Sequence, residues 1–298
     1  EQRLATEIRE MILRDRNHPS VILWELFNEV ARQGLKRLKH PMSLLARSLD
    51  PTRIVIDESG GWADGAGAYL PYRSDSVPIN ELHRYLRSPV NAMIYDYLRQ
   101  LGAPGVDDTI FGRSMRAGRP GVPTFISEVG YGSFPDLPQV VARYEREGNP
   151  LTPDYRYHKR LLASVQEAMR ELGWDEFFSD VAQLCKASQQ LQARGNQLQL
   201  EALRLNPHVA GYCVHAYTGA DWVIGAGILD IFRNPKLAYY SVKKVQQPVY
   251  LALRVTPPNA YAGQAVKLQV HGINDLETFQ GTLLVELVDP AGKVTARW

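Results

Sequence analysis

Two glutamates each close an apolar, strand-like run. In "VILWELFNE" the run 21–27 ends on Asn28 and Glu29, and "VPTFISEVGYG" reaches Glu128. A carboxylate at the end of a buried strand is carried by rigid backbone to a rim that water and a substrate can reach. Two of them converging across such a rim supply a proton donor and a nucleophile or base, the pair that cleavage of a glycosidic bond requires. Carboxyl groups about 5–5.5 Å apart fit a double displacement with retention, and about 6.5–9.5 Å apart an inversion. Unlike surroundings must keep one protonated and the other ionised. A single strand-end carboxylate is more often solvated or salt-bridged. Glu25, Asp57, Glu58, Glu81 and Asp221 also lie near strand ends, so spacing alone does not choose the pair.

The elements that position these groups alternate. Runs rich in β formers occupy 21–27, 53–57, 80–85, 123–128 and 210–217, each with polar residues at its C-terminal end. Between them, helical periodicity covers the first twenty residues and 30–49, 89–101, 154–172, 175–205 and 235–246, with a long loop expected over 60–78. This order predicts an α/β domain with parallel strands. A doubly wound sheet uses strand ends at a switch point, whereas a (β/α)8 TIM barrel gathers all of them on one face. Five polar ends in succession favour the barrel. After Gln247 the chain changes to short alternating runs broken by Pro, Gly and Asn-Asp turns, the pattern of an immunoglobulin-like β-sandwich. The expected domains are therefore 1–247, a portion of the barrel, and 248–298, a shortened sandwich.

Composition excludes several classes. The 298 residues are 45% hydrophobic and 22% charged with a formal net charge of +2, which gives no electrostatic support to nucleic-acid or membrane-surface binding. No run reaches the roughly 18 apolar residues of a membrane span. Cys185 and Cys213 match no zinc spacing; one bridge between them is open, and two buried free thiols is the preferred reading. The seven His form no ligand pair, so neither a metal nor a cofactor is expected. Gly65-x-Gly67 begins a dinucleotide fingerprint, but Leu70 and Pro71 break it, and no GxSxG is present.

The segment "RDRNHPSVILWELFNE" resembles the region around the acid/base of glycoside hydrolase family 2, the β-galactosidases, β-glucuronidases and β-mannosidases. "PTFISEVGYG" resembles the nucleophile segment of the same family. "RIVIDESGGW", "LHRY" and "NPHVAGYCVHAYTGADW" followed by "GILDIFRNPK" match its later strands in order. The resemblance implies a retaining β-glycosidase with a carbohydrate substrate, Glu29 as acid/base and Glu128 as nucleophile. It implies that Asn28 binds the sugar 2-hydroxyl, that Tyr85 hydrogen-bonds Glu128 and that His83 lines the same subsite. An imidazole bonded to backbone is an equal reading of His83. Trp62 and Trp222 are candidates to stack on sugar faces, with plain packing an equal alternative. A non-catalytic carbohydrate-binding relative is the second reading.

Two departures stand out. His215 falls where many members carry Trp, and Glu25 replaces a residue that is commonly small. Pointing inward, Glu25 needs a partner, for which Arg or Lys from another strand is expected. The resemblance also equates the first strand with the fourth of the barrel. Strands four to eight are then expected, with open edges, and the chain by itself is expected to be poorly stable and inactive. Compartment and oligomeric state stay open.

Overall fold

The structure is a computed structural model that describes residues 1–30, 32–60, 66–86, 89–106, 121–148, 152–219, 225–276, 278 and 280–298. The chain divides into two compact units, Glu1–Val245 and Gln246–Trp298.

In the first unit, α1 (Gln2–Asp15) buries Ile8 and Ile12, the inward positions of its amphipathic repeat. Strand β1 (Leu23–Glu25) lies parallel to β2 (Ile54–Ile56), with Trp24 opposite Val55, and α2 (Gln33–Leu49) covers them. Ile8, Ile12, Trp24, Leu38, Met42, Ala46, Val55 and Tyr69 form one core cluster. Asp50 pins this layer from below. Its carboxylate accepts from Trp24 Nε1 at 3.0 Å, Thr52 Oγ1 at 2.6 Å and Arg53 Nη1 at 2.7 Å. Burial opposes its ionisation, but the bonds from Thr52, Trp24 and Arg53 outweigh that and hold its pKa at about 2.

The sheet continues through β3 (Ala66–Tyr69), β4 (Ser76–Arg84), β5 (Thr124–Val129) and β6 (Val209–Val214), six strands in sequence order. Pairs β4–β5 and β5–β6 are parallel, while β2–β3 and β3–β4 are antiparallel. The loop expected over 60–78 therefore contains a strand, and the all-parallel order is interrupted there. Its sequence, "AGAY", carries little β signal, and tertiary pairing decides the matter. Gly67 sits inside this strand and donates its N–H to Asp57 Oδ1 at 2.8 Å, so it does not turn a phosphate loop; Gly65 lies outside the described residues.

Helices α3 (Ala92–Gln100), α4 (Leu137–Arg146), α5 (Pro153–Glu171), α6 (Val181–Arg204) and α7 (Leu237–Val245) complete the unit. The pattern of "FPDLPQVV" hid α4. Asp136 caps it by accepting from Gln139 N at 3.1 Å, and Pro138 is tolerated in the first turn. The Gln-rich α6 uses its amides inside the fold. Gln192 Nε2 donates to the carbonyls of Gly225, Ala226 and Gly227, and Asn196 Oδ1 accepts from Tyr131 N at 2.8 Å. These bonds tether the backbone after β5 and β6. Both cysteines are free thiols, so the bridge left open by the sequence is not formed, and only Cys185 is buried; Cys213, on β6, is exposed.

The second unit holds two antiparallel pairs, β7 (Val249–Thr256) with β8 (Lys267–Asn274) and β9 (Glu286–Val288) with β10 (Val294–Arg297). No described helix is long and apolar enough to cross a membrane.

Candidate functional site

The C-terminal ends of β1, β2, β4 and β5 converge. Beyond β1, Asn28 forms a parallel bridge with Ser59, which follows β2. In the β4–β5 register His83 lies opposite Glu128. Glu29, His83, Tyr85 and Glu128 thus come to one place from three separate stretches of chain.

Glu29 has φ 49°, a left-handed conformation that is uncommon outside glycine. Such a residue persists only where its surroundings over-determine it, and it marks functional positions more often than chance. The surroundings here are explicit. Glu29 N donates to Ser59 O at 2.9 Å, and Ser59 N donates to Phe27 O at 2.7 Å. Val30 N donates to Glu58 Oε1 at 2.9 Å, and Lys39 Nζ donates to Glu58 Oε2 at 2.7 Å. Lys39 also lies 3.6 Å from Asp57. Glu58 is 1% exposed and Lys39 8% exposed, so this ion pair is desolvated and geometrically fixed. Lys39→Met leaves the Glu58 charge buried without its partner. A loss of roughly 3–5 kcal/mol of unfolding free energy is expected in denaturant titration. A loss below about 1 kcal/mol, the worth of a surface pair, would show that Lys39 does not anchor Glu58.

His83 lies between the two glutamates. Its Nδ1 is 2.6 Å from Glu29 Oε1 and 3.1 Å from Glu128 Oε2, and its Nε2 is 2.9 Å from Ser59 Oγ. Ser59 Oγ in turn lies 2.9 Å from Ser127 Oγ. The imidazole is therefore bonded to side chains of the site, not to backbone. Gly60, at φ 79°, fits against this ring where a Cβ would come within 2.8 Å of it. Tyr85 donates its hydroxyl to Glu128 Oε2. Burial raises the Tyr85 pKa, and the Glu128 bond and charge raise it further, so the phenol stays a neutral donor. The Glu29 side chain is 35% exposed and that of Glu128 20%.

His215 packs edge-on against Tyr85, ring centroids 5.5 Å apart, with its Nδ1 buried and unpartnered. Asn28 is exposed beside Glu29. Trp62 and Trp222 lie outside the described residues. Ser59, Ser127 and Gly60 were not anticipated, because their place depends on register across three strands.

The ligand-type atoms of Glu29, His83 and Glu128 all lie within 4.8 Å of one another. A divalent ion is a poor fit there. His83 Nδ1, facing two carboxylates, acts as an N–H donor and is not free as a metal ligand. Glu25 also departs from expectation. The charged side chains that bear on it are the carboxylates of Glu81 and Glu128, not Arg or Lys. Burial pushes both the Glu25 and Glu81 carboxyls up to about 7.

Residues 1–87 match the model of the TIM barrel domain of glycosyl hydrolases family 2. A β-galactosidase of Psychromonas ingrahamii is 37% identical over 93 residues, which is 26% of this chain and 9% of that protein. Among solved structures, a β-D-mannosidase from Dictyoglomus thermophilum is similar with a TM-score of 0.53 at 20% identity, covering 92% of this chain and 32% of that one. An exo-chitosanase of Amycolatopsis orientalis reaches a TM-score of 0.50 at 14% identity, covering 99% of this chain and 38% of that one. The chain thus spans about a third of the length of these structures and under a tenth of the galactosidase. The fold is that of a TIM-barrel domain carrying strand-end carboxylates. Residues 1–87 are thus similar to the TIM barrel domain of glycosyl hydrolases family 2.

Proposed function

We propose that the chain carries the catalytic carboxylates of a retaining β-glycosidase. Glu128 attacks the anomeric carbon while Glu29 protonates the departing glycosidic oxygen. Glu29, now a base, then takes a proton from the water that releases the sugar from Glu128. The observation that supports this most is the approach of the Glu29 and Glu128 oxygens to within 4.8 Å, close to the separation a double displacement uses. Their surroundings differ: Tyr85 donates its hydroxyl to Glu128 alone, and Glu29 is the more exposed of the two. Asn28, beside Glu29, is proposed to bind the sugar 2-hydroxyl, and His83 and His215 to line the subsite. Trp62 and Trp222 remain candidate stacking platforms. We also read 1–247 as barrel and 248–298 as part of an immunoglobulin-like sandwich.

The test is a panel of aryl β-glycosides offered to the full-length protein, with the first-formed anomer followed by NMR. Hydrolysis with net retention is expected. Net inversion would overturn the nucleophile assignment. Sugar binding without turnover on any member of the panel would establish the non-catalytic reading instead.

A further inference from the structure

The peptide planes on either side of Glu29 are held by different means. A residue has two soft backbone dihedrals, and each sets the angle to one adjoining peptide plane. The plane before Glu29 is fixed through its own N–H, which donates to the Ser59 carbonyl at 2.9 Å. The plane after it is fixed through the N–H of Val30, which donates to Glu58 Oε1 at 2.9 Å. The first bond runs backbone to backbone. The second ends on a side chain, so a single substitution at position 58 can remove it. Glu29 adopts φ 49°, where its Cβ crowds the backbone, and a residue without such ties relaxes to negative φ. That relaxation swings the Cα–Cβ bond, and with it the carboxylate, whose Oε1 sits 2.6 Å from His83 Nδ1.

Glu58 is itself held from three elements. It follows β2, it is buried, and its Oε2 accepts from Lys39 Nζ at 2.7 Å. Lys39 lies on the buried face of α2 with Leu38, Met42 and Ser43. Its ammonium is also 3.6 Å from Asp57 Oδ2, and Asp57 Oδ1 accepts the N–H of Gly67 on β3 at 2.8 Å. Helix α2, the end of β2 and strand β3 therefore converge on one carboxylate, which presents its other oxygen to Val30. A carboxylate with one oxygen on an ammonium and the other on a backbone N–H cannot turn without losing one of them. A buried ion pair adds little net stability over apolar residues of the same size, so its use here points to the geometry that it imposes.

We propose that Glu58 is a positioning residue of the proposed reaction: by accepting the Val30 N–H it holds Glu29 at the angle from which its carboxyl reaches the departing glycosidic oxygen, and Lys39 holds Glu58 in turn. The inference rests on the glycosidase reading, and the test separates the two. Two variants of the full-length protein are compared over a series of aryl β-glycosides of graded leaving-group acidity. Glu58→Asp keeps the charge beside Lys39 and withdraws the carboxylate from Val30 by one methylene. Lys39→Met combined with Glu58→Gln removes both charges and keeps an oxygen for the Val30 N–H. Glu58→Asp is expected to lower kcat/KM about tenfold for the poorest leaving group, the effect of one lost hydrogen bond, and hardly at all for the most acidic one, which departs without a proton from Glu29. The double variant should return the wild-type dependence on leaving group. A merely structural role would lower the whole series equally through the fraction folded, which melting curves read separately. If Glu58→Asp does not fold, Lys39→Met combined with Glu58→Met takes its place, apolar and without an acceptor. Hydrogen exchange reads the bond without turnover: the Val30 amide should exchange slowly in the wild type and faster in Glu58→Asp. Equal losses across the series in the variant lacking the acceptor, or as steep a dependence in the double variant that keeps it, would overturn the inference and leave the glycosidase reading standing. Fast exchange at Val30 in the wild type would overturn it whatever the activity. Absence of turnover in the wild type would defeat the glycosidase reading, and the positioning role with it.

Discussion

Glu128→Gln in the full-length protein is expected to lower kcat/KM for an activated aryl β-glycoside by about 10⁴-fold or more, as loss of a covalent nucleophile does elsewhere. The substitution removes a charge and almost nothing else. Glutamine keeps an oxygen that accepts the Tyr85 hydroxyl, and its side chain fills the same volume opposite His83 in the β4–β5 register. The sugar contact proposed for Asn28 is untouched, so KM should move little while kcat collapses. An activated leaving group makes the result sharper, because it removes the need for Glu29 to donate a proton in the first step and isolates the attack itself. No glycosyl-enzyme should accumulate, and no burst of aryl alcohol should precede steady turnover. A variant keeping more than about a tenth of the wild-type rate would exclude Glu128 as nucleophile. The observation that motivates the choice is local: of the strand-end acids, Glu128 receives both a tyrosine hydroxyl and the His83 N–H.

That choice was only half legible in the sequence. Apolar runs capped by polar residues announce strand ends, since a strand buried on both faces must be continuously apolar until it reaches the rim. Glu29 and Glu128 could be placed at such ends, and the "NHPSV" and "SEVG" segments gave them their resemblance. What could not be read was anything decided by register. Ser59 and Ser127 lie far apart in sequence and touch through their hydroxyls only because β2, β4 and β5 end side by side. Strand β3 escaped notice because "AGAY" is small and glycine-containing, with pairing partners on both sides that local propensity does not see. The helix at 137–146 was hidden by prolines flanking its cap. The periodicity of α6 was visible, but not that Gln192 is buried as a tie to the carbonyls of Gly225, Ala226 and Gly227. Glu25 is the most instructive case. Its inward direction follows from β alternation, but expecting a basic partner assumed that a buried acid must be ionised. Burial instead raises both the Glu25 and the Glu81 carboxyl to about 7, and no rule of spacing distinguishes the two outcomes.

Glu29→Ala is expected to show a different signature from Glu128→Gln, and the contrast between them assigns the roles. Glu29 acts twice in the proposed reaction, protonating the leaving oxygen and then activating water. For a substrate with a poor leaving group, loss of the acid should cost about 10²–10⁴-fold in kcat/KM. For a substrate whose leaving group needs no protonation, the first step should survive nearly intact while release of the sugar from Glu128 slows. KM should then fall along with kcat, because the glycosyl-enzyme accumulates. Azide, a small anionic nucleophile that needs no general base, should enter the space vacated by the Glu29 side chain and restore turnover, giving a β-glycosyl azide. The geometry favours its entry. The Glu29 side chain is the more exposed of the pair, and with it gone His83 Nδ1 still offers an N–H beside the vacated carboxylate position. Removing Glu29 also removes the residue that occupies the φ 49° conformation, and alanine is no better suited to it, so the backbone bonds from Ser59 and Glu58 must hold the turn. An α-glycosyl azide would mean that azide attacked from the face assigned to Glu128, exchanging the two roles. No azide effect, together with equal losses for good and poor leaving groups, would mean that Glu29 supports the site's structure without handling its protons.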